Sequence, residues 1–224
     1  MMGNLHQEAV DHLQTIRGLM ERATLYRAIS GPAALFGGAF AVLVAACFRR
    51  VGRSAGEGDL SSGASFVIIW LAVLAVASLI NLFLLCRRPE RPGEGFWSRG
   101  MQAALQALWP ALVGTGVLGV MIALGKEGES RLPLVAVLWM LGYGLALLST
   151  SSFAPFSLRI LGYSFVAASL VSGMAILHFS WLQDFEPAVS ASLLMGATFG
   201  LFHLFYGAIV VLSRESRTQP QTSP

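Results

Sequence analysis

Residues 65–86 read Ser65-Phe-Val-Ile-Ile-Trp-Leu-Ala-Val-Leu-Ala-Val-Ala-Ser-Leu-Ile-Asn-Leu-Phe-Leu-Leu-Cys86. The run carries no charge, and its apolar positions are continuous rather than alternating with period two. A helix needs about 20 such residues to cross the ~30 Å hydrocarbon core, because every backbone N–H and C=O has to be satisfied within the segment. A barrel strand would alternate instead. The stretch therefore predicts a transmembrane α-helix, and working outward from it five more runs read the same way: 31–48, 104–124, 132–150, 158–178 and 190–212. Composition agrees, with 55% hydrophobic and only 12% charged residues, against about 25% charged in a soluble domain. The expected fold class is all-α: a polytopic membrane protein, a six-transmembrane-helix bundle preceded by an N-terminal amphipathic helix.

That leading helix is read from Leu5, Ala9, Leu13, Ile16, Met20 and Ala23, which recur every three or four positions among charged neighbours. Its three Arg balance three acidic residues, so it is expected to pack on the bundle or on a protein partner rather than to be drawn to anionic lipid by charge. The first thirty residues show no cleavable signal peptide, and the first span is expected to direct insertion itself. Ser30-Gly31-Pro32 supplies a cap and a Pro near a helix start, which suggests a break before span one. The expected organisation is thus a cytoplasmic amphipathic helix over 1–29, a transmembrane domain over 30–213 and a disordered cytoplasmic tail over 214–224. The connecting loops are too short to house a soluble catalytic domain.

Six spans put both termini on one face. Arg17, Arg22, Arg27, Arg87, Arg88, Arg91, Arg99, Arg159, Arg214 and Arg217 gather there, against Arg49, Arg50, Arg53, Lys126 and Arg131 on the other. Ten against five favours cytoplasmic termini under the positive-inside rule. Cys47 and Cys86 fall at opposite faces, which argues against a disulfide between them.

Lipid tails are as apolar as Leu, so helices in a membrane associate by close backbone approach and hydrogen bonds. Small residues should mark the contacts: Ala33, Gly37, Ala41 and Ala45 in span one; Ala111, Thr115 and Gly119 in span three; Ser164, Ala168 and Ser172 in span five; Ser192, Gly196 and Gly200 in span six. Large Leu, Phe and Val side chains are expected to face lipid, and Trp70, Trp109 and Trp181 to belong to the aromatic belt.

No Asp or Glu falls within a span, which disfavours a carrier built on an intramembrane carboxylate. The polar residues that remain suggest a cytoplasm-facing pocket lined by Asn81, Tyr143, Arg159, Tyr163, His203 and Tyr206. His203 shares a helical face with Gly200 and Gly207 and is expected to point into the bundle. Its bland reading is a hydrogen bond across a helix interface; its sharper one is a ligand or proton-sensing site. Arg159 reads either as part of the pocket or as a side chain snorkelling to the interface.

No chemistry-bearing pattern emerges. His6, His12 and His178 make poor second axial partners for a haem at His203, the two Cys are separated, and there is no His-Glu-x-x-His, Walker or Gly-x-Ser-x-Gly motif. Ser149 to Ser152 has no adjacent His or acid to make a nucleophile. No cofactor, no metal and no enzymatic activity are expected.

Leu19-Met-Glu-Arg-Ala-Thr24, Tyr143-Gly-Leu-Ala-Leu147, Arg159 with Leu161-Gly162, and Phe199-Gly-Leu-Phe-His-Leu-Phe-Tyr-Gly207 together resemble an uncharacterised family of bacterial six-span inner-membrane proteins. The resemblance touches both ends of the chain and is most specific around His203 and Met20-Glu21-Arg22. It implies a prokaryotic inner-membrane location, and some relatives are encoded beside winged-helix transcription regulators. Where relatives tend to carry a basic residue after the span-four motif, this chain has Thr150-Ser-Ser-Phe153, so no shared charged site is expected at that turn.

The function expected from these readings is that of a non-enzymatic sensory or regulatory partner. Its partners would be the lipid bilayer, a cytoplasmic protein met through the N-terminal helix, and further copies of itself in a homo-oligomer; direct nucleic acid binding is not expected. The alternative is a small-solute transporter or channel using a polar cleft near His203.

Overall fold

The computed structural model of the chain describes residues 31–54, 63–87, 99–151, 156–178 and 185–218. The N-terminal amphipathic stripe, Ser30, Trp181 and residues 219–224 lie outside the described residues. Six transmembrane-length apolar helices emerge, and the chain is a multi-pass all-α membrane protein. They are α1 (Gly31–Ser54), α2 (Gly63–Cys86), α3 (Arg99–Ala123), α4 (Leu132–Ser149) and α5 (Phe156–His178), followed by a composite sixth span. The sixth span consists of α6 (Pro187–Met195), a π-helical segment over Gly196–Phe202 and α7 (His203–Thr218). The last helix thus runs beyond the boundary at 213 expected for the bundle.

Local chemistry sets the helix ends. Pro133 and Pro187 open α4 and α6, where a missing N–H has no intrahelical partner to lose. Between α3 and α4 the chain turns through Gly125 and Gly128, whose N–H groups donate to Ile122 and Gly125 carbonyls, and a short 3-10 turn over Glu129–Arg131 follows. Arg131 pairs there with Glu127. At the other end of α4, Thr150 donates both its N–H and its hydroxyl to the Leu147 carbonyl, satisfying an oxygen that helix termination would leave open.

The spans form two layers of three. In one, α1 lies between α2 and the composite sixth span; in the other, α4 lies between α3 and α5; the layers meet where α6 rests on α4. The side on which α1 begins and α7 ends is here called the near side, the opposite one the far side.

Small residues control the approach inside the first layer. A Cβ placed on Gly38 would lie 2.7 Å from the Gly200 carbonyl oxygen, and one on Gly207 would lie 2.8 Å from that of Gly31. Both distances are below van der Waals contact, so α1 and the sixth span run backbone to backbone, as expected from Gly196 and Gly200. In the second layer Thr115 and Gly119 of α3 face Gly142 and Trp139 of α4, again the predicted seam of span three. Between α4 and α5, by contrast, the tight passage runs through Gly144 and Gly162, 2.9 Å from a Gly144 Cβ to the Gly162 oxygen, and Ser169 is the buried serine of α5. The stripe of Ser164, Ala168 and Ser172 lies beside that line; the Ser164 hydroxyl donates to the Ile160 carbonyl of its own helix.

Two apolar cores fill the spaces. The far-side core joins Phe66, Val67 and Trp70 of α2 with Leu132, Val135 and Ala136 of α4 and Ala191 and Met195 of the sixth span. The near-side core joins Ala34, Ala104, Met140, Leu147, Leu161, Phe165, Tyr206 and Val210. Trp70 corrects the aromatic-belt expectation: it is buried, and its indole N–H donates to the Ser192 hydroxyl at 3.3 Å. A polar handle inside the bundle was available to it, and an indole satisfied there need not reach the headgroups. Trp109 is 66% exposed on α3. Cys47 and Cys86 are free and exposed.

Candidate functional site

The polar centre of the bundle is built across the junction of the layers. Tyr143 comes from the middle of α4, Phe165 from α5, Phe199 and Phe202 from the π segment, and His203 from the first turn of α7. The Tyr143 hydroxyl and His203 Nε2 stand 2.8 Å apart. On the other side of the imidazole, Nδ1 lies 2.8 Å from the Phe199 carbonyl oxygen.

A carbonyl only accepts, so Nδ1 must carry the hydrogen. In the neutral ring Nε2 is then the acceptor and the Tyr143 hydroxyl the donor. Both ring nitrogens are thereby engaged by the protein. Aromatic rings enclose the pair: Phe165 lies 4.8 Å from Tyr143 and 5.7 Å from His203 by ring centroids. Phe199 stacks on His203 at an interplanar angle of 10° and lies 5.1 Å from Tyr143. Phe202 meets Phe165 edge to face.

The π segment leads directly into this cluster. In an uninterrupted α-helix Gly196, Gly200, His203 and Gly207 would share one face, the setting expected for His203. A π-helix has i→i+5 bonds and turns less per residue, yet Gly196, Gly200 and Gly207 all lie against α1. Gly200 and Gly207 both pack against α1, while His203 between them bonds Tyr143 of α4 and meets Phe165 of α5. His203 points into the bundle, as expected, one turn before Gly207 on the same helix.

The predicted pocket is brought together only in part. Tyr143 and His203 are bonded, and Tyr206 is buried in the adjoining near-side core. Asn81 is half-buried on α2, which contributes nothing to the ring cluster. Arg159 and Tyr163 stand on the exterior of α5: Tyr163 is 65% exposed, and the Arg159 guanidinium lies over the exposed ring of Phe156. Their helix buries the face of Leu158, Leu161, Gly162 and Phe165 instead, so these two residues are corrected from the pocket to the lipid-facing surface. The expectation that Phe side chains face lipid fails at Phe165, which is fully buried. The signal that could have found it is its place opposite Arg159 and Tyr163 on one helical wheel.

Ser149 also acquires a role in packing. Its hydroxyl stands 2.8 Å from the Ala107 carbonyl of α3 and 2.7 Å from that of Ala146, tying α4 to α3 at the near side. Among the described residues no three His, Cys, Asp or Glu side chains gather closely enough to hold a metal ion.

Compared with protein-family models, with curated proteins and with solved structures, the chain gives no match. The functional reading rests on the residues themselves.

Proposed function

We propose that the protein is a non-enzymatic sensory or regulatory partner in a bacterial inner membrane, with both termini in the cytoplasm, akin to the six-span family whose segments it resembles. The observation that carries this reading is the closure of the His203 cluster. A transporter or channel working through His203 would offer its solute a donor or an acceptor, yet Nδ1 is engaged by the Phe199 carbonyl and Nε2 by the Tyr143 hydroxyl. The rings that enclose the pair are the phenyl groups of Phe165, Phe199 and Phe202, with the Tyr206 phenol in the adjoining core. The cluster reads as a clamp between the two layers of the bundle.

Specific work then falls to surfaces. The stripe of Leu5, Leu13, Ile16 and Met20 supplies a contact for a cytoplasmic protein, and the ten-to-five distribution of basic residues supports its cytoplasmic side. Crosslinking in cells, with the full-length chain compared with a chain lacking residues 1–28, tests the proposal. The expected result is loss of a crosslinked protein at unchanged membrane abundance. An identical set of adducts from both chains overturns it.

A further inference from the structure

Phe156, Arg159 and Tyr163 succeed one another along a single face of α5, opposite the buried face of Leu158, Leu161 and Phe165. Phe156 is 69% and Tyr163 65% exposed. The guanidinium carbon of Arg159 lies 5.6 Å from the Phe156 ring centroid, within the range in which a cation is held by the face of a ring. The strip sits in the first two turns of α5, at the near-side edge of the apolar span.

Among the described side chains no carboxylate lies beside this charge. No Asp or Glu occurs anywhere between Leu132 and Gln183 in the sequence. Among the described side chains the carboxylates are Glu127, Glu129 and Glu186, all on the far side, where Glu127 is already paired with Arg131. An arginine at a membrane boundary, outside the bundle and with no described carboxylate beside it, meets the phosphate layer of the lipids. A guanidinium fork matches phosphate geometry with two parallel N–H donors. A tyrosine one turn deeper places an amphipathic ring and a hydroxyl donor at headgroup level.

We propose that Arg159, seated on Phe156 and flanked by Tyr163, binds the phosphate of an anionic phospholipid headgroup on the outer surface of α5. The site is lateral, open to the bilayer and independent of the His203 cluster. Phe156 holds the guanidinium plane, Arg159 supplies charge and two donors, and Tyr163 supplies a third.

Native mass spectrometry of the full-length protein, released from bilayers of equal phosphatidylglycerol and phosphatidylcholine, tests this directly. The wild-type chain is expected to retain one phosphatidylglycerol that Arg159→Gln loses about tenfold, as befits hydrogen bonds to a charged group. Tyr163→Phe should lose less, and Arg159→Lys should keep part of the preference through charge alone. Should Arg159→Gln fail to insert, the Tyr163→Phe and Arg159→Lys comparisons decide the question by themselves. Equal retention of the two lipids, an equal loss in the far-side variant Lys126→Gln, or displacement by millimolar inorganic phosphate would each overturn the proposal, the last by exposing a site for free anions.

Discussion

His203 is held at both ring nitrogens, and this accounts for an imidazole in the middle of an apolar bundle. An unpartnered polar group there would carry a large desolvation penalty, whereas the Phe199 carbonyl and the Tyr143 hydroxyl leave neither nitrogen bare. The net worth of such a bond is still small, because a chain loosened within the bilayer finds other polar partners. A double-mutant cycle of His203→Ala and Tyr143→Phe, read by reversible unfolding in mixed micelles, should give a coupling of about 0.6 kcal/mol and no more than ~1.7 kcal/mol. A coupling of zero would remove the Tyr143–His203 bond from the account. At this scale the sequence was partly legible. An inward His203 follows from its setting among glycines, but its partner stands sixty positions away, and no local pattern connects the two. Arg159 and Tyr163 misled because a polar residue near a span end fits both a pocket and a lipid boundary, and only the packing of Leu158, Leu161 and Phe165 on the opposite face decides between them.

The π segment sits where the sixth span passes between α1 on one side and α5 on the other. It spans Gly196–Phe202, where two glycines weaken the preference for an ordinary α-helix while Ala45 and Val42 of α1 fill the space their side chains leave. The span serves two partners at once, with Gly196, Gly200 and Gly207 toward α1 and Phe199, Phe202 and His203 toward α4 and α5. Deleting Ala197, an exposed position within the segment, should rotate α7 about its axis by roughly 100° relative to the start of the span and carry His203 away from Tyr143. A cysteine pair introduced by Tyr143→Cys and His203→Cys is expected to be bridged by a short thiol crosslinker in the parent chain and not in the deletion chain. Efficient bridging in both would show that the phase of α7 does not depend on the π winding. Apolar periodicity located this span and its Gly-xxx-Gly contact correctly, yet it is blind to a change from i→i+4 to i→i+5 bonding, since the same residues satisfy either winding. Trp70 was obscured for a related reason, because its hydrogen bond to Ser192 crosses between spans.

At the scale of the molecule, two three-helix layers meet along α4 and the sixth span. The six apolar runs, their lengths and their separation into α-helices were readable from the sequence, because the bilayer imposes one requirement on every span. Which spans adjoin was not, since a seam such as Gly144 against Gly162 needs both partners in place before either is recognisable. The topology has a direct check in sealed vesicles. An impermeant thiol reagent should reach Cys47 and Cys86, tested in single-cysteine chains, from opposite sides; labelling of both from one side would contradict an antiparallel α1 and α2. The closest backbone approach in the first layer, Gly31 and Gly38 against Gly207 and Gly200, joins the first span to the last, and that has a consequence for biogenesis. A ribosome adding about 5–20 residues per second makes Gly38 roughly ten to thirty seconds before Gly200. During that interval α1 waits in the bilayer with its glycine face toward lipid or a membrane insertase. A chain that stalls before its sixth span leaves that face open to quality control, so delivery of the final helix is the step that commits the newborn protein to its folded form.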